Sequence, residues 1–405
     1  MVREGGETAG HQAAVVVDDV VVRAAAVVSL ISAASRERVA AALADVHSPG
    51  TRRIYRRHWQ AFEVYCSSRG YRVLPAEVEV VCEYLQSLET TILTRADGTV
   101  QHGYSMSHIE QALSALRHVH RVAVAVPPAV PGQPPVPPLW AHPMPADFVR
   151  AMRHRTAREE RVVEEPAAPI LLSQLTTMID DINDGADTWV KHLYARRDVA
   201  VLLVGWVGAM RRAEVVALRV GHVKGGRDGR WTLRVARSKT DQAGAGQIKA
   251  LPRGTHPRTC PQCALLRWME CVTVYDERGR VGLIRLLSRD TAPVTHRCAA
   301  VPVYPKPRSP VFRSVVRGEI GTVAMTGHTM HTMVRRRLAA SFPDLDAGEY
   351  GAHSLRAGFV TESYLQGKSD REIMRQSGHR SVSTLHRYAR EVSAFDNNAA
   401  VGLGF

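Results

Sequence analysis

Apolar side chains recur at three- and four-residue intervals along most of this chain, and the breaks in that rhythm divide it into bodies. Between Thr51 and Arg69, Ile54, Phe62, Tyr65 and Cys66 share roughly one helical face, while Arg52, Arg53, Arg56 and Arg57 lie elsewhere. A second helix is predicted over Glu77–Leu93, with Val81, Tyr84, Leu85 and Leu88 inward and Pro75 just ahead of it. A third fits Ser107–Val122, where Ile109, Leu113, Leu116 and Val119 recur and Ser105 or Ser107 serves as cap. Residues 48–126 therefore read as a small all-helical domain. Seven prolines within residues 127–138 exclude helix and central strand, so 127–142 reads as a stiff, extended linker. In the body that follows, 143–405, helices are predicted near Ala146–Arg155, Leu172–Ile182, Val190–Gly208, Cys263–Val274, Met325–Phe342, Leu355–Gln366, Ser369–Gly378 and Val382–Glu391. Over Arg230–Leu251 the period falls to two: Trp231, Leu233 and Val235 alternate, Gly244 and Gly246 mark a turn, and Ile248 and Leu251 return. The fold class is mainly α, with a small antiparallel β-sheet in the second domain. Residues 1–47, with valines clustered around Asp18 and Asp19, are compatible with a helix, a strand pair or a flexible tail.

Composition narrows the partners. Of 405 residues 45% are hydrophobic, enough for real cores, which excludes wholesale disorder. Lysine and arginine total 53 against 39 acids, a net +14 that favours a polyanion, with nucleic acid the first expectation. Six cysteines do not make a disulfide scaffold and suit a reducing compartment. The apolar run Ala13–Ala34 is broken by Asp18, Asp19 and Arg23 and would span a bilayer poorly. A cytoplasmic, nucleoid-associated protein with no membrane partner is expected.

A few polar residues carry the chemistry. Arg211 ends an apolar run three residues before Glu214; on its own the pair reads as a surface ion pair one helical turn apart. Lys239, in SKTD of the hairpin, is one of only six lysines, among arginines at 230, 234 and 237. An amine can give up a proton where a guanidinium in practice cannot. His353 and Arg356 form HSLR and share a helical face, although His118 and Arg121 make the same HxxR pattern on what reads as a solvated face. His379 and Tyr388 stand in SGHRSVSTLHRYAR; a phenol with a pKa near 10 needs nearby positive charge to act as a nucleophile. Two arginines, a lysine, two histidines and a tyrosine suffice to surround one phosphodiester, and phosphoryl transfer depends mainly on positioning and charge neutralisation. Walker, GxGxxG, HExxH and EF-hand patterns do not occur.

The order and spacing of this set resemble the tyrosine site-specific recombinases, or phage integrases, most nearly the Cre-like two-domain type. The strings GAMRRAEVVAL, RSKTDQAGAGQ, AHSLRAG and SGHRSVSTLHRYAR carry the likeness, and GTRRIYRRHWQAFEVYC resembles the opening of the family's core-binding domain. The resemblance implies that Tyr388 attacks the scissile phosphate and leaves a 3′-phosphotyrosine and a free 5′-hydroxyl. It implies that Arg211 and Arg356 clamp the phosphate oxygens, that Lys239 protonates the leaving 5′-oxygen, and that His353 and His379 assist, with Glu214 orienting the cluster. It further implies double-stranded DNA with an inverted-repeat site, a homotetramer on two sites, a Holliday-junction intermediate, an accessory directionality factor in some systems, and no cofactor. Arg52, Arg53, Arg56, Arg57, Arg117 and Arg121 are expected to contact DNA from the helical domain, and Arg387 and Arg390 beside the nucleophile. Ala209 and Ala213 depart mildly from the family's usual glycine and serine, and the proline-rich insertion Thr291–Pro310 has no assigned role.

Other readings make different predictions. A type IB topoisomerase would relax supercoils without site preference, and a regulator of the same fold would bind without cleaving. A heterobivalent integrase would need an arm-binding domain, for which residues 1–47 are short and apolar. Cys260 and Cys263 form CPQC, with His256, His296 and Cys298 as further donors; the pair is read as the opening of a helix, and no metal is expected.

Overall fold

A computed structural model describes residues 13–17, 20–24, 47–94, 98, 100–123, 137–158, 167–226, 229–235, 246–290, 292–299 and 306–389. The chain divides into two compact units, Met1–Glu165 and Pro166–Phe405.

In the first unit β1 (Ala13–Val17) and β2 (Val20–Ala24) pair antiparallel, the strand-pair option for that segment. Helix α1 (Pro49–Arg69) starts where Ser48 Oγ accepts the Thr51 amide and Pro49 occupies the first turn, and ends at Gly70 in the left-handed region (φ 70°). Helix α2 (Val78–Thr90) stops earlier than its sequence pattern suggests. The β-branched run after it instead pairs β3 (Ile92–Thr94) with β4 (Val100–His102). Helix α3 (Met106–Ala123) and helix α4 (Met144–Arg158) complete the unit. Trp59, Phe62, Leu85, Ile109, Leu116 and Met152 form its core, whereas Ile54, expected inward, is exposed. Because Val149 and Met152 of α4 pack into this core, that helix belongs to the first body and the boundary falls after it rather than at residue 143.

The second unit is built on α6 (Trp189–Val207), which is buried almost all round and surrounded by other elements. Around it stand α5 (Leu172–Asp184), the short α7 (Arg212–Val216), α8 (Pro261–Leu287, broken at Gly279), α9 (Gly327–Ser341), α10 (Ser354–Leu365), α11 (Asp370–Ser377) and α12 (Val382–Ala389). Strands β5 (Val223–Gly225), β6 (Trp231–Val235) and β7 (Gln247–Leu251) form an antiparallel sheet in that order. A second hairpin, β8 (Arg313–Val316) with β9 (Glu319–Ala324), has no counterpart in the sequence reading.

Two buried features fix where the chemistry sits. Asp198 is fully buried and accepts hydrogen bonds from Arg197 (2.7 Å) and Arg337 (2.7 Å), tying α6 to α9. Gly358, in α10, lies against the chain before α5: a Cβ there would stand 1.8 Å from the Ile170 carbonyl oxygen, so only glycine permits this approach.

Candidate active site

The C-terminal end of α6, the start of α7, strand β7 and helices α10 to α12 meet at one cation-rich pocket. After α6 the chain turns through Ala209, which sits buried in the left-handed region (φ 45°). That turn aims the Ala209 carbonyl at two cations and delivers Arg211 to the start of α7. Glu214, buried, accepts both the Arg211 amide (2.9 Å) and its guanidinium (2.8 Å). The pair is thus a built-in orienting contact, not the surface ion pair that its spacing alone suggests.

Arg356 is 1% exposed and donates to the carbonyls of Ala209 (2.7 Å) and Ser377 (2.6 Å) and to His379 Nε2 (2.9 Å). Since a guanidinium only donates, His379 Nε2 must accept. The ring proton therefore sits on Nδ1 and is shared with Ser377 Oγ (2.8 Å). His379 reaches this place because α11 ends at Gly378 in the left-handed region (φ 74°), where a Cβ would strike the Gln247 side chain at 2.2 Å. From α12, the Tyr388 hydroxyl lies 2.8 Å from His353 Nε2. The Tyr388 ring also packs near that of His379, with centroids 5.6 Å apart.

Electrostatics here are lopsided. Burial first, then Arg356 and Arg211, push His379 down to about 3. His353, although exposed, is pushed down to about 4, first by the protein packed around it and then by Arg356, Arg211 and Arg212. Both rings are therefore neutral at pH 7. Arg356 is itself lowered to about 10 by burial and by Arg211. Among the described residues one buried carboxylate, Glu214, faces these arginines and a lysine, so the described lining carries a net positive charge suited to an anion.

That lysine was not singled out from sequence. Lys249 of β7 is fully buried, and its ammonium donates to the carbonyls of Gln376 (2.8 Å), Ser377 (3.2 Å) and Ala209 (3.4 Å). Lys239, chosen for the proton-transfer role, lies outside the described residues, as does Arg390. The structure thus brings together Arg211, Glu214, His353, Arg356, His379 and Tyr388.

No family model matches the chain. An integrase/recombinase XerD homolog of Selenomonas ruminantium is 23% identical over 370 residues, covering 91% of this chain and 88% of its own length. The XerH site-specific recombinase, solved with a palindromic difH substrate, is similar with a TM-score of 0.50 at 13% identity, over 89% of this chain and 81% of that one. Along nearly its whole length the chain is similar to integrases and site-specific recombinases, and it shares the fold of the latter. A lambda integrase dimer bound to a core site is also similar, with a TM-score of 0.44 and 15% identity over 88% of this chain and 93% of that one.

The arginines expected to face DNA divide. Arg53 and Arg57 are exposed on α1, and Arg52 and Arg56 are half-buried beside them. Arg121 is exposed and donates to His118 (3.4 Å), whose ring packs on His47 and Tyr55. The HxxR copy in α3 is therefore half packed, not simply solvated. Arg117 is partly engaged elsewhere, donating to the His142 carbonyl (2.9 Å) and so bracing the chain that leads into α4. Arg387 lies on α12. The cysteine pair opens α8 as expected, and Cys260, Cys263, His296 and Cys298 also converge, while His256 is exposed and outside that group.

Proposed function

We propose that this protein cuts and rejoins double-stranded DNA at a specific site through a phosphotyrosine, as a site-specific recombinase. The observation that carries this reading is the Tyr388 hydroxyl, held 2.8 Å from a neutral histidine at the mouth of a pocket lined by Arg211 and Arg356. In the proposed step the Tyr388 oxygen attacks the scissile phosphorus while its proton passes to His353 Nε2. The bond from phosphorus to the 5′-oxygen breaks, a 3′-phosphotyrosine forms, and Lys239 protonates the departing 5′-oxygen. Arg211 and Arg356 offset the charge that builds on the non-bridging oxygens, and Glu214 and the Ala209 carbonyl hold them in place. A phosphate between the arginines would also lessen the repulsion that suppresses His353, restoring its basicity when it is needed. Exchange of one phosphodiester for a phosphotyrosine and back conserves the bond, so ATP is not required. A tetramer on two inverted-repeat sites, passing through a Holliday junction, is the assembly that the resemblance to tyrosine recombinases implies.

The test is covalent trapping. Full-length protein and Tyr388→Phe are mixed with sheared DNA of the source replicon, and denaturation-resistant adducts are sequenced. Adducts 3′-linked at one inverted-repeat site, absent from a variant that still binds DNA, are expected. Scattered adducts would point to a topoisomerase, and robust adducts from the variant would overturn the nucleophile assignment.

A further inference from the structure

The insertion after α8 begins with an arrangement that the cleavage chemistry does not use. Cys260 caps α8 and Cys263 lies one turn inside it, while His296 and Cys298 come from the chain that follows the helix. Their three Sγ atoms and one imidazole nitrogen all lie within 4.8 Å of one another. His296 Nδ1 is 3.5 Å from Cys263 Sγ and 3.8 Å from Cys298 Sγ. The three cysteines are buried, and all are free thiols. A tetrahedral zinc with Zn–S of about 2.3 Å and Zn–N of about 2.0 Å sets its ligand atoms roughly 3.5–3.8 Å apart, which matches these separations.

The surrounding hydrogen bonds supply an independent argument. His296 Nε2 faces the Thr255 carbonyl at 3.3 Å and donates to it, which leaves Nδ1, the nitrogen turned toward the sulfurs, with a free lone pair. The amide of Gly254 points at Cys260 Sγ (3.4 Å), and that of Arg297 at Cys263 Sγ (3.2 Å). Amides aimed at sulfur favour thiolates, and three neutral thiols filling a core would need neither these donors nor an oriented imidazole.

We propose that Cys260, Cys263, His296 and Cys298 form a structural zinc site. Three sulfurs and one nitrogen fill a tetrahedron and leave no open position, the pattern of a structural rather than a catalytic ion. It would staple three segments: the loop leaving β7 at Gly254 and Thr255, the first turn of α8, and the entry to the insertion. The far end of the insertion is already held, since the Ser309 and Pro307 carbonyls accept the amides of Val220 (3.0 Å) and Gly221 (2.8 Å). The ion would fix the near end and give Thr291–Pro310 two anchors.

The experiment measures metal in the full-length protein, purified under reducing conditions from zinc-supplemented cells without chelators. Mass spectrometry should find roughly one zinc per chain, and chain with cobalt in place of zinc should show the sulfur-to-cobalt charge-transfer and visible bands of a tetrahedral thiolate site. Cys298→Ser and His296→Ala should lose most of the metal, while Cys82→Ser, in the first unit, keeps it. Substoichiometric zinc together with the absence of cobalt bands would overturn the proposal. Full zinc retention by a folded Cys260→Ser/Cys263→Ser variant would do so as well. The cobalt spectrum is read on the unsubstituted chain, so a variant that fails to fold does not blunt the test.

Discussion

Replacing Lys249 with methionine tests the electrostatics of the pocket most directly. The side chain has no solvent exposure, and burial, followed by repulsion from Arg356 and Arg211, pushes its ammonium down to about 7 against the support of Glu214. The unfolded chain holds its lysine proton up to about pH 10.5. Between pH 7 and pH 10.5 the unfolded state therefore binds more protons than the folded one, and this group makes stability rise with pH. The slope is at most about 1.4 kcal/mol per pH unit, so from pH 7 to 9 the native protein should gain roughly 1–3 kcal/mol over Lys249→Met. Below pH 7 the lysine is charged in both states and the gap between the two proteins should be flat from this source. There the variant loses three carbonyl contacts, about 1–2 kcal/mol after the relief of desolvation. Urea titrations at pH 6.5, 8 and 9, followed by fluorescence of Trp206, Trp231 and Trp268 in the same unit, measure both quantities, and titrations common to the two proteins cancel in the difference. Parallel curves from pH 7 to 9 would refute the reasoning. They would mean that the Ala209, Gln376 and Ser377 carbonyls outweigh burial and keep the ammonium charged.

Two other substitutions follow from the same packing. Glu214→Gln removes the buried carboxylate facing this lysine and Arg211; denaturant titration should show a loss of about 3 kcal/mol, since buried cations are left uncompensated. Gly358→Ala sets two effects against each other: alanine favours a helix by about 1 kcal/mol, but the methyl would stand 1.8 Å from the Ile170 carbonyl. The clash should win by about 3 kcal/mol or more, read as a fall in melting temperature, because relief would break the Trp206 Nε1–Ile170 hydrogen bond (2.9 Å).

Which parts were legible in the sequence follows from period and range. The helices of both units were, because amphipathic period needs only neighbours. The set Arg211, His353, Arg356, His379 and Tyr388 was, because motif order survives where contacts are unknown. Lys249 was hidden by its strand. Ile248 and Leu251 cannot share one face of a period-two element, and the structure turns Ile248 out (69% exposed) and Lys249 in. A lysine beside an isoleucine in a hairpin reads as the solvated member of the pair; the reverse is visible only once the carbonyls at the end of α11 are in place. The bracing contact of Arg117 was hidden for a similar reason, since its acceptor is a backbone carbonyl 25 residues away. The cysteines present the same problem of distance: CPQC is local, but His296 and Cys298 reach it only after the whole length of α8.

The low basicity of the two histidines yields a last prediction, which joins the pocket to the proposed chemistry. His379 at about 3 and His353 at about 4 owe their neutrality to burial and then to Arg356 and Arg211. An anion placed between those arginines attracts protons to both rings and raises both values. At pH 6, where the rings of the protein alone are neutral, binding of a duplex carrying the target phosphate should therefore take up protons. At pH 8 uptake by the histidines should vanish, and what remains would be Lys249, which the same anion holds charged. Calorimetry in two buffers of different ionisation enthalpy counts those protons, and His379→Gln should lower the count at pH 6. Binding that moves no protons at pH 6, with Tyr388 adducts still forming, would refute the expected rise in basicity of His353 and His379. The acid–base partner of the tyrosine would then have to be sought outside this pocket.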